Sequence, residues 1–487
     1  MERTGKMKKL TTLVIAAVAW TGLMIGTGWG ISECVTAPAS ITGLWMGTLK
    51  SNGMNLRVAF EITKASEGNY TAVVHSIDQG AMNIPLTAVT ADGDSLRLEL
   101  KSVFTYEGIL QKDGKTIDGR WIQGQATPFV VQRIDKLPDL ARPQDPKKPY
   151  PYIEEEVTYE NLKAGITLAG TLTIPSGTGP FPAVVLLTGS GPQNRNEELF
   201  NHRPFLVLSD YLTRRGIAVL RADDRGMGGS TGDFSKATTG DFADDGLAGI
   251  EFLKGRNEIK SDRIGLIGHS EGAMMAPIAA TRSTDVAFIV MLSGPGQRFA
   301  DIIIFQILRG AKSKEADENL FALKRSWYER LYAILEEDTE NAKAAEKIRA
   351  LHATLTSDEK EKLDWPDAKL DDKIQSQLKP WWRYAMQYDP RATLMNVRCP
   401  VLALNGEKDM QVPAKENVVA ISDALRAGGN TNFTVLELPG LNHVFQTVET
   451  GMEMEYAKIE ETMSPVALQT ISDWIIAQTI TAMGTNK

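Results

Sequence analysis

The chain has 487 residues, with 43% hydrophobic residues, 23% charged residues and a formal net charge of −8. That length exceeds one ordinary core, so two or three folded units of soluble, globular composition are expected. The acidic balance, with no clustered basic residues, argues against a nucleic-acid partner.

Residues 1–39 read as an export signal. Arg3, Lys6, Lys8 and Lys9 form a positive n-region, an uncharged and largely apolar run covers 10–30, and Ala37-Pro38-Ala39 offers cleavage before Ser40. The mature protein is therefore expected to be secreted or periplasmic, with no stable membrane partner if that segment is removed. Two alternatives stay open. The run is nearly long enough to remain as a membrane anchor, and Cys34 could be lipidated, although Ile31-Ser32-Glu33 before it is a poor lipobox. Cleavage would leave Cys399 as the sole cysteine, with no intrachain disulfide and the character of an inert core residue.

Residues 40–136 have β character. Runs that alternate in polarity at 56–62, 70–76, 96–100, 106–110, 117–121 and 129–131 are separated by turn signals such as Ser51-Asn52-Gly53 and Asp113-Gly114. About eight strands are expected, enough for a small antiparallel barrel or sandwich. Gly43-Leu44-Trp45 opening the first strand resembles lipocalin-like barrels, and an accessory unit without a ligand of its own is the simpler reading. The connector 137–152, with Pro138, Pro143, Pro146, Pro149 and Pro151, should be stiff and extended.

From residue 153 strands alternate with helices, the signature of a parallel sheet covered on both faces. An entry hairpin covers 157–160 and 168–174, and the continuously apolar 183–188 is a strand buried on both sides. Helices are expected at 205–215 and 242–253, strands at 217–220, 264–267, 286–292, 401–404 and 433–436, and a closing helix at 465–481. The core thus divides into 153–296 and 398–487 around a charge-rich helical insertion, 297–397. Leu320, Leu323, Trp327, Leu331 and Ile334 form one apolar stripe there, and a second helix covers 344–351. The insertion is expected to act as a cap, because loops at this edge of such a sheet surround the site.

Gly268-His269-Ser270-Glu271-Gly272 turns the 264–267 strand into a small-residue helix. A Gly-x-Ser-x-Gly turn holds its serine exposed in a strained conformation beside a helix N-terminus, which marks Ser270 as a nucleophile. A serine nucleophile needs a base, an orienting acid and oxyanion donors. The chain holds five histidines. His75 lies in the β region, His269 beside the serine, His202 ahead of a helix and His352 in the insertion. His443, on the Pro-Gly loop after the last strand, is the expected base. Asp409, in Asn405-Gly-Glu-Lys-Asp, is the expected acid, with Glu407 as a solvated loop charge. The oxyanion donors are expected to be the N–H of Glu271 and one from Thr188-Gly189-Ser190-Gly191, with Ser190 preferred and Gly189 or Gly191 as alternatives. Asp223-Asp224-Arg225-Gly226 lacks a phosphate-loop spacing and reads as a turn held by Asp–Arg hydrogen bonds. No His or Cys cluster has ligand spacing, so no metal or cofactor is implied.

These motifs carry a resemblance. Residues 153–485 are similar to bacterial α/β-hydrolase carboxylesterases of the branch near the serine aminopeptidases, through Gly189-Ser-Gly-Pro-Gln, Arg221-Ala-Asp-Asp-Arg-Gly, Gly268-His-Ser-Glu-Gly, Asn405-Gly-Glu-Lys-Asp-Met-Gln-Val-Pro and Leu441-Asn-His-Val-Phe-Gln. The resemblance implies an α/β-hydrolase fold with a helical cap, preceded here by a small antiparallel β-barrel. It also implies hydrolysis of a small-molecule, short-chain acyl ester through an acyl-enzyme on Ser270, with Asp409 and His443 completing the triad. Relatives that are aminopeptidases make a peptide or amide substrate the alternative, for which Glu271, Glu197 and Glu198 are candidate amine-binding carboxylates. A binding protein that has kept the hydrolase fold is the third reading. A homo-oligomer is left open. Thr188-Gly189 stands where many relatives have His-Gly, which leaves the second oxyanion donor undetermined.

Overall fold

The computed structural model describes residues 40–51, 54–65, 69–79, 81–101, 103–138, 142–312 and 318–480. The export segment, with Cys34 and the cleavage site, lies outside the described residues.

Among the described residues, ten antiparallel strands between Gly43–Ser51 and Val131–Ile134 form the first sheet, two more than the runs of alternating polarity suggest. Its end strands are Ala81–Pro85 and Ala88–Asp92, which follow each other in the chain. Leu86 N–H between them donates to Ala72 at 3.0 Å and Thr87 N–H to Glu99 at 2.8 Å, so the crossing segment touches both edges of a curled sheet. No ladder joins the two end strands among the described residues. Its interior is filled by rings: Phe60, Phe104, Tyr106, Trp121 and Phe129 share one core with Trp45, and Phe104 stacks on Trp121 at 3.7 Å.

The expected stiff connector is instead docked. Arg142 donates to the carbonyls of Phe200, Asn201, Ala457 and Ile459, each at 3.0 Å. Gln144 bonds Thr462 and Met463, and Tyr152 donates to Asp210 at 2.9 Å.

The second sheet has eight strands: β1 (Ile153–Asn161), β2 (Ile166–Ile174), β3 (Phe181–Leu187), β4 (Ala218–Ala222), β5 (Ile259–His269), β6 (Ile289–Leu292), β7 (Val401–Gly406) and β8 (Phe433–Leu438). Their spatial order is β1-β2-β4-β3-β5-β6-β7-β8. β2 is antiparallel to both β1 and β4, and every later pairing is parallel. This is the α/β-hydrolase arrangement. The apolar runs of β3 and β6 are unbroken because helices cover both faces. On one side lie α2 (Thr239–Lys254), α3 (Gly272–Arg282) and α11 (Ala414–Ala427); on the other lie α1 (Pro204–Arg214) and α12 (Pro465–Ile480). α2 starts three residues earlier than its apolar pattern, because Thr238 and Asp241 form a reciprocal capping box. α11 has no counterpart in the sequence reading: its buried residues, Ala414, Asn417, Ile421, Ala424 and Leu425, are small or polar for much of their length.

Among the described residues, seven helices come between β6 and β7: α4 (Phe299–Lys312), α5 (Glu318–Glu337), α6 (Asn341–His352), α7 (Ser357–Lys362), α8 (Leu370–Gln377), α9 (Pro380–Gln387) and α10 (Pro390–Leu394). They have a core of their own, in which Trp327, Leu331, Tyr332 and Leu335 of α5 meet Ile348 and Trp365. Leu323 and Ile334 of the stripe pack against this core, and Leu335 joins it fully buried at the C-terminal end.

Candidate active site

β5 ends at His269 and α3 begins at Gly272, so Ser270 carries the whole reversal. Its φ is +54°, a conformation costing about 1–3 kcal/mol for a side-chain-bearing residue. The surroundings enforce it. A Cβ on Gly268 would stand 1.9 Å from Gly272 O, and one on Gly272 would stand 2.1 Å from Leu187 O. Ser270 N–H is held by Leu292 O at 2.8 Å.

His443 follows β8 on a loop shaped by Asn442. The Asn442 Oδ1 accepts Val444 N–H at 3.1 Å and Gln446 N–H at 2.8 Å, and its Nδ2 donates to Gln446 Oε1 at 2.9 Å. His443 Nδ1 lies 2.8 Å from Asp409 Oδ2, with exposures of 3% and 4% for the two residues. The other Asp409 oxygen accepts the N–H groups of Gln411 and Val412, at 2.8 and 2.9 Å. The carboxylate is thereby an acceptor on both oxygens, which puts the His443 proton on Nδ1. Glu407, the other acid of this turn, accepts Gly440 N–H at an exposed site instead.

Ser270, His443, Ser190, Gly189 and Glu271 all line one cavity of about 330 Å³. Ser270 Oγ makes no hydrogen bond to the imidazole among the described residues; such contacts commonly tighten only when substrate binds. Glu271 N–H, at the start of α3, and Ser190 N–H donate to no protein acceptor among the described residues. Gly189 N–H donates to Glu197 Oε1 at 2.7 Å, so this alternative oxyanion donor is already committed. The remaining alternative, Gly191, adopts φ +93° and is not among the cavity's lining residues.

The helical insertion supplies the other wall. Phe299, Ile302 and Ile303 of α4 and Trp381 and Trp382 of α9 line the cavity, with Phe299 edge-on to both indoles at 5.6 Å. Trp381 Nε1–H donates to Glu271 Oε1 at 2.5 Å and Thr239 Oγ–H to the same oxygen at 2.7 Å. Burial pushes the Glu271 carboxyl up from its ordinary value, against the pull of these donors. A larger cavity, about 680 Å³, lies on the opposite side of α4 among Phe305, Tyr332 and Arg298, away from Ser270. The cavity lined by Ser270 and His443 is the smaller of the two.

The turn after β4 is held by Asp–Arg pairs whose partners differ from the adjacent residues read in sequence. Asp223 binds the Arg195 guanidinium at 2.8 and 3.1 Å, while Arg225 binds Asp245 at 2.7 and 2.8 Å. His202 is a core residue between Thr462 and the Tyr456 carbonyl, its pKa pushed down to about 4 by burial. Burial likewise pushes the Cys399 thiol up to about 12, in keeping with an unreactive side chain.

The family model for the X-Pro dipeptidyl-peptidases (S15 family) matches residues 164–440, which include Ser270 and Asp409 and end three residues short of His443. The chain belongs to the S15 family. This S15 hydrolase is also 25% identical over 375 residues to esterase EstD of Thermotoga maritima, spanning 75% of the present chain and 81% of EstD. Among solved structures it is similar to Est1E from Butyrivibrio proteoclasticus with ferulic acid bound (18% identity, TM-score 0.40, 66% of this chain and 99% of that one). It is also similar to 2,6-dihydroxy-pseudo-oxynicotine hydrolase (18% identity, TM-score 0.39, 68% and 69%). The fold of the S15 chain rests on its strand order rather than on these likenesses.

Two features of the S15 site went unread in the sequence. Glu197 is committed to His269 at 2.8 Å rather than free to hold an amine, and Trp381 reaches Glu271 from the insertion. Neither has a local signal, since each pairs residues from distant segments.

Proposed function

We propose that this S15-family chain is a serine esterase acting on short-chain acyl esters. Ser270 attacks the ester carbonyl, His443 takes its proton and returns it to the leaving alcohol, and Asp409 holds the imidazole in the required tautomer. Ser190 and Glu271 N–H groups receive the developing oxyanion. The observation that carries the reading is the buried 2.8 Å His443–Asp409 contact facing the same small cavity as the strained Ser270. The cavity volume suits a small acyl group. EstD, matched along most of its length, is named an esterase, which supports ester over amide.

The peptidase reading is kept by one observation besides the family's name. Glu197 and Glu271 both line the cavity, each with one oxygen already hydrogen-bonded within the protein, and no Lys or Arg does among the described residues. That lining disfavours an anionic substrate and tolerates an amine. Side-by-side kcat/KM on p-nitrophenyl butyrate and on an X-Pro p-nitroanilide separates the two. Ser270→Ala is expected to lower kcat on p-nitrophenyl butyrate by at least about 10⁴-fold; full activity in that variant removes the mechanism.

The helical insertion acts as a cap, a role supported by its aromatic residues in the cavity wall. Cleavage after Ala39 and export complete the proposal. Among the described residues no helix is long and apolar enough to cross a membrane.

A further inference from the structure

Glu197 and His269 take no part in the reaction as written above, yet both are buried beside it, with exposures of 2% and 7%. Glu197 sits at φ +51° on the loop after β3. Its Oε1 accepts Gly189 N–H at 2.7 Å and faces His269 Nδ1 at 2.8 Å. The other ring nitrogen, Nε2, faces the carbonyl of His443 at 3.0 Å, and that carbonyl also accepts Ser293 Oγ–H at 2.8 Å. A carbonyl can only accept, so Nε2 carries a proton. The carboxylate oxygen already accepts an amide, so a second proton on Nδ1 completes both contacts. Burial works against the charged ring, and Glu197 holds its proton on, leaving the imidazole above its ordinary pKa. The other titratable groups facing the ring are Asp409 and the His443 imidazole, whose centroid is 4.9 Å away. Asp224 lies behind Glu197.

We propose that Glu197 and His269 are a buried imidazolium–carboxylate positioning pair, tying the oxyanion loop at Gly189 to the backbone of His443. The inference rests on the esterase reading and deepens it. One end of the pair holds the residue before Ser190, whose N–H is assigned to the oxyanion. The other end holds the carbonyl of the base itself. Because His269 closes β5 directly before Ser270, nucleophile, base and oxyanion donor share one rigid bracket. Displacements near 1 Å in such a constellation lower rates by about 100-fold.

The test uses the full chain. Imidazole ¹⁵N spectra are readable with five histidines, and His269 is assigned by the signals missing in His269→Gln. The expected result is two protonated ring nitrogens on His269 at pH 8, and one in Glu197→Gln. In kinetics with p-nitrophenyl butyrate, Glu197→Gln, nearly isosteric, should lose kcat about 30-fold or more at pH 8 while KM stays within about 3-fold. The variant's imidazole lacks its counterion and gives up its proton at lower pH, so the variant-to-parent ratio of kcat should fall as pH rises from 6 to 9. Tm of each variant confirms folding. A singly protonated His269 at pH 8 in the parent, a kcat within about 3-fold, or a pH-independent ratio each overturns the proposal. Ser270→Ala run alongside keeps the two readings apart: its retained activity would remove the esterase assignment, while the ring spectrum would still decide the ion pair.

Discussion

Asp224 stands behind the oxyanion loop with only neutral donors, Thr188 Oγ–H at 2.7 Å and Gln193 N–H at 2.8 Å. Burial pushes its carboxyl up to about 7, with Glu197 and Glu271 adding to the rise. The unfolded chain has an ordinary value near 3.9, so between about pH 4 and 7 the folded state binds the extra proton. Stability from this group is therefore fully present below pH 4 and lost as pH rises through 7. Asp224→Asn removes the titration at the cost of one acceptor. The parent-minus-variant difference in unfolding free energy should fall between pH 4.5 and 7.5, by roughly 3–4 kcal/mol at most. Urea titrations at the two values measure it, and an unchanged difference would show that the carboxyl is not held neutral.

At the scale of elements, the turn at Ser270 and the helical insertion are joined by a hydrogen bond. α9 delivers Trp381 Nε1–H to the Glu271 carboxyl, and Glu271 supplies the N–H assigned to the oxyanion. The oxygen keeps Thr239 Oγ–H, so losing the indole donor costs about the net contribution of one hydrogen bond, about 0.5–1.5 kcal/mol. Trp381→Phe keeps an aromatic wall and removes the N–H. It should lower Tm by several degrees and raise KM for p-nitrophenyl butyrate several-fold, with kcat within about 3-fold. Unaltered Tm and KM would mean that α9 merely adjoins the elbow.

For the molecule as a whole, the stretch between the two sheets acts as a strap. Four carbonyls from two loops converge on Arg142 at 3.0 Å. The same loops flank His202 and lead toward His443. Hydrogen bonds to a charged donor contribute about 1.5–3 kcal/mol each when made, and the carbonyls left behind are partly resolvated. Arg142→Ala should therefore destabilise by about 2–4 kcal/mol, read as a lower urea midpoint. An unchanged midpoint would mean that the connector carries none of the fold's stability.

Sequence alone determined the features coded over a few neighbouring residues. The Gly268 and Gly272 sterics and the unbroken apolar run of β3 are of that kind. Tertiary structure decided the partners: Glu197 with His269 across 72 positions, Trp381 with Glu271 across 110, and His269 with the His443 carbonyl across 174. It also decided that Gly189 N–H is spent on Glu197 and that the first sheet curls without a ladder between its ends. The reason is physical. Backbone conformation and strand burial answer to local sterics and hydropathy, whereas the aim of a buried polar side chain is set by which distant group the packing brings within 3 Å.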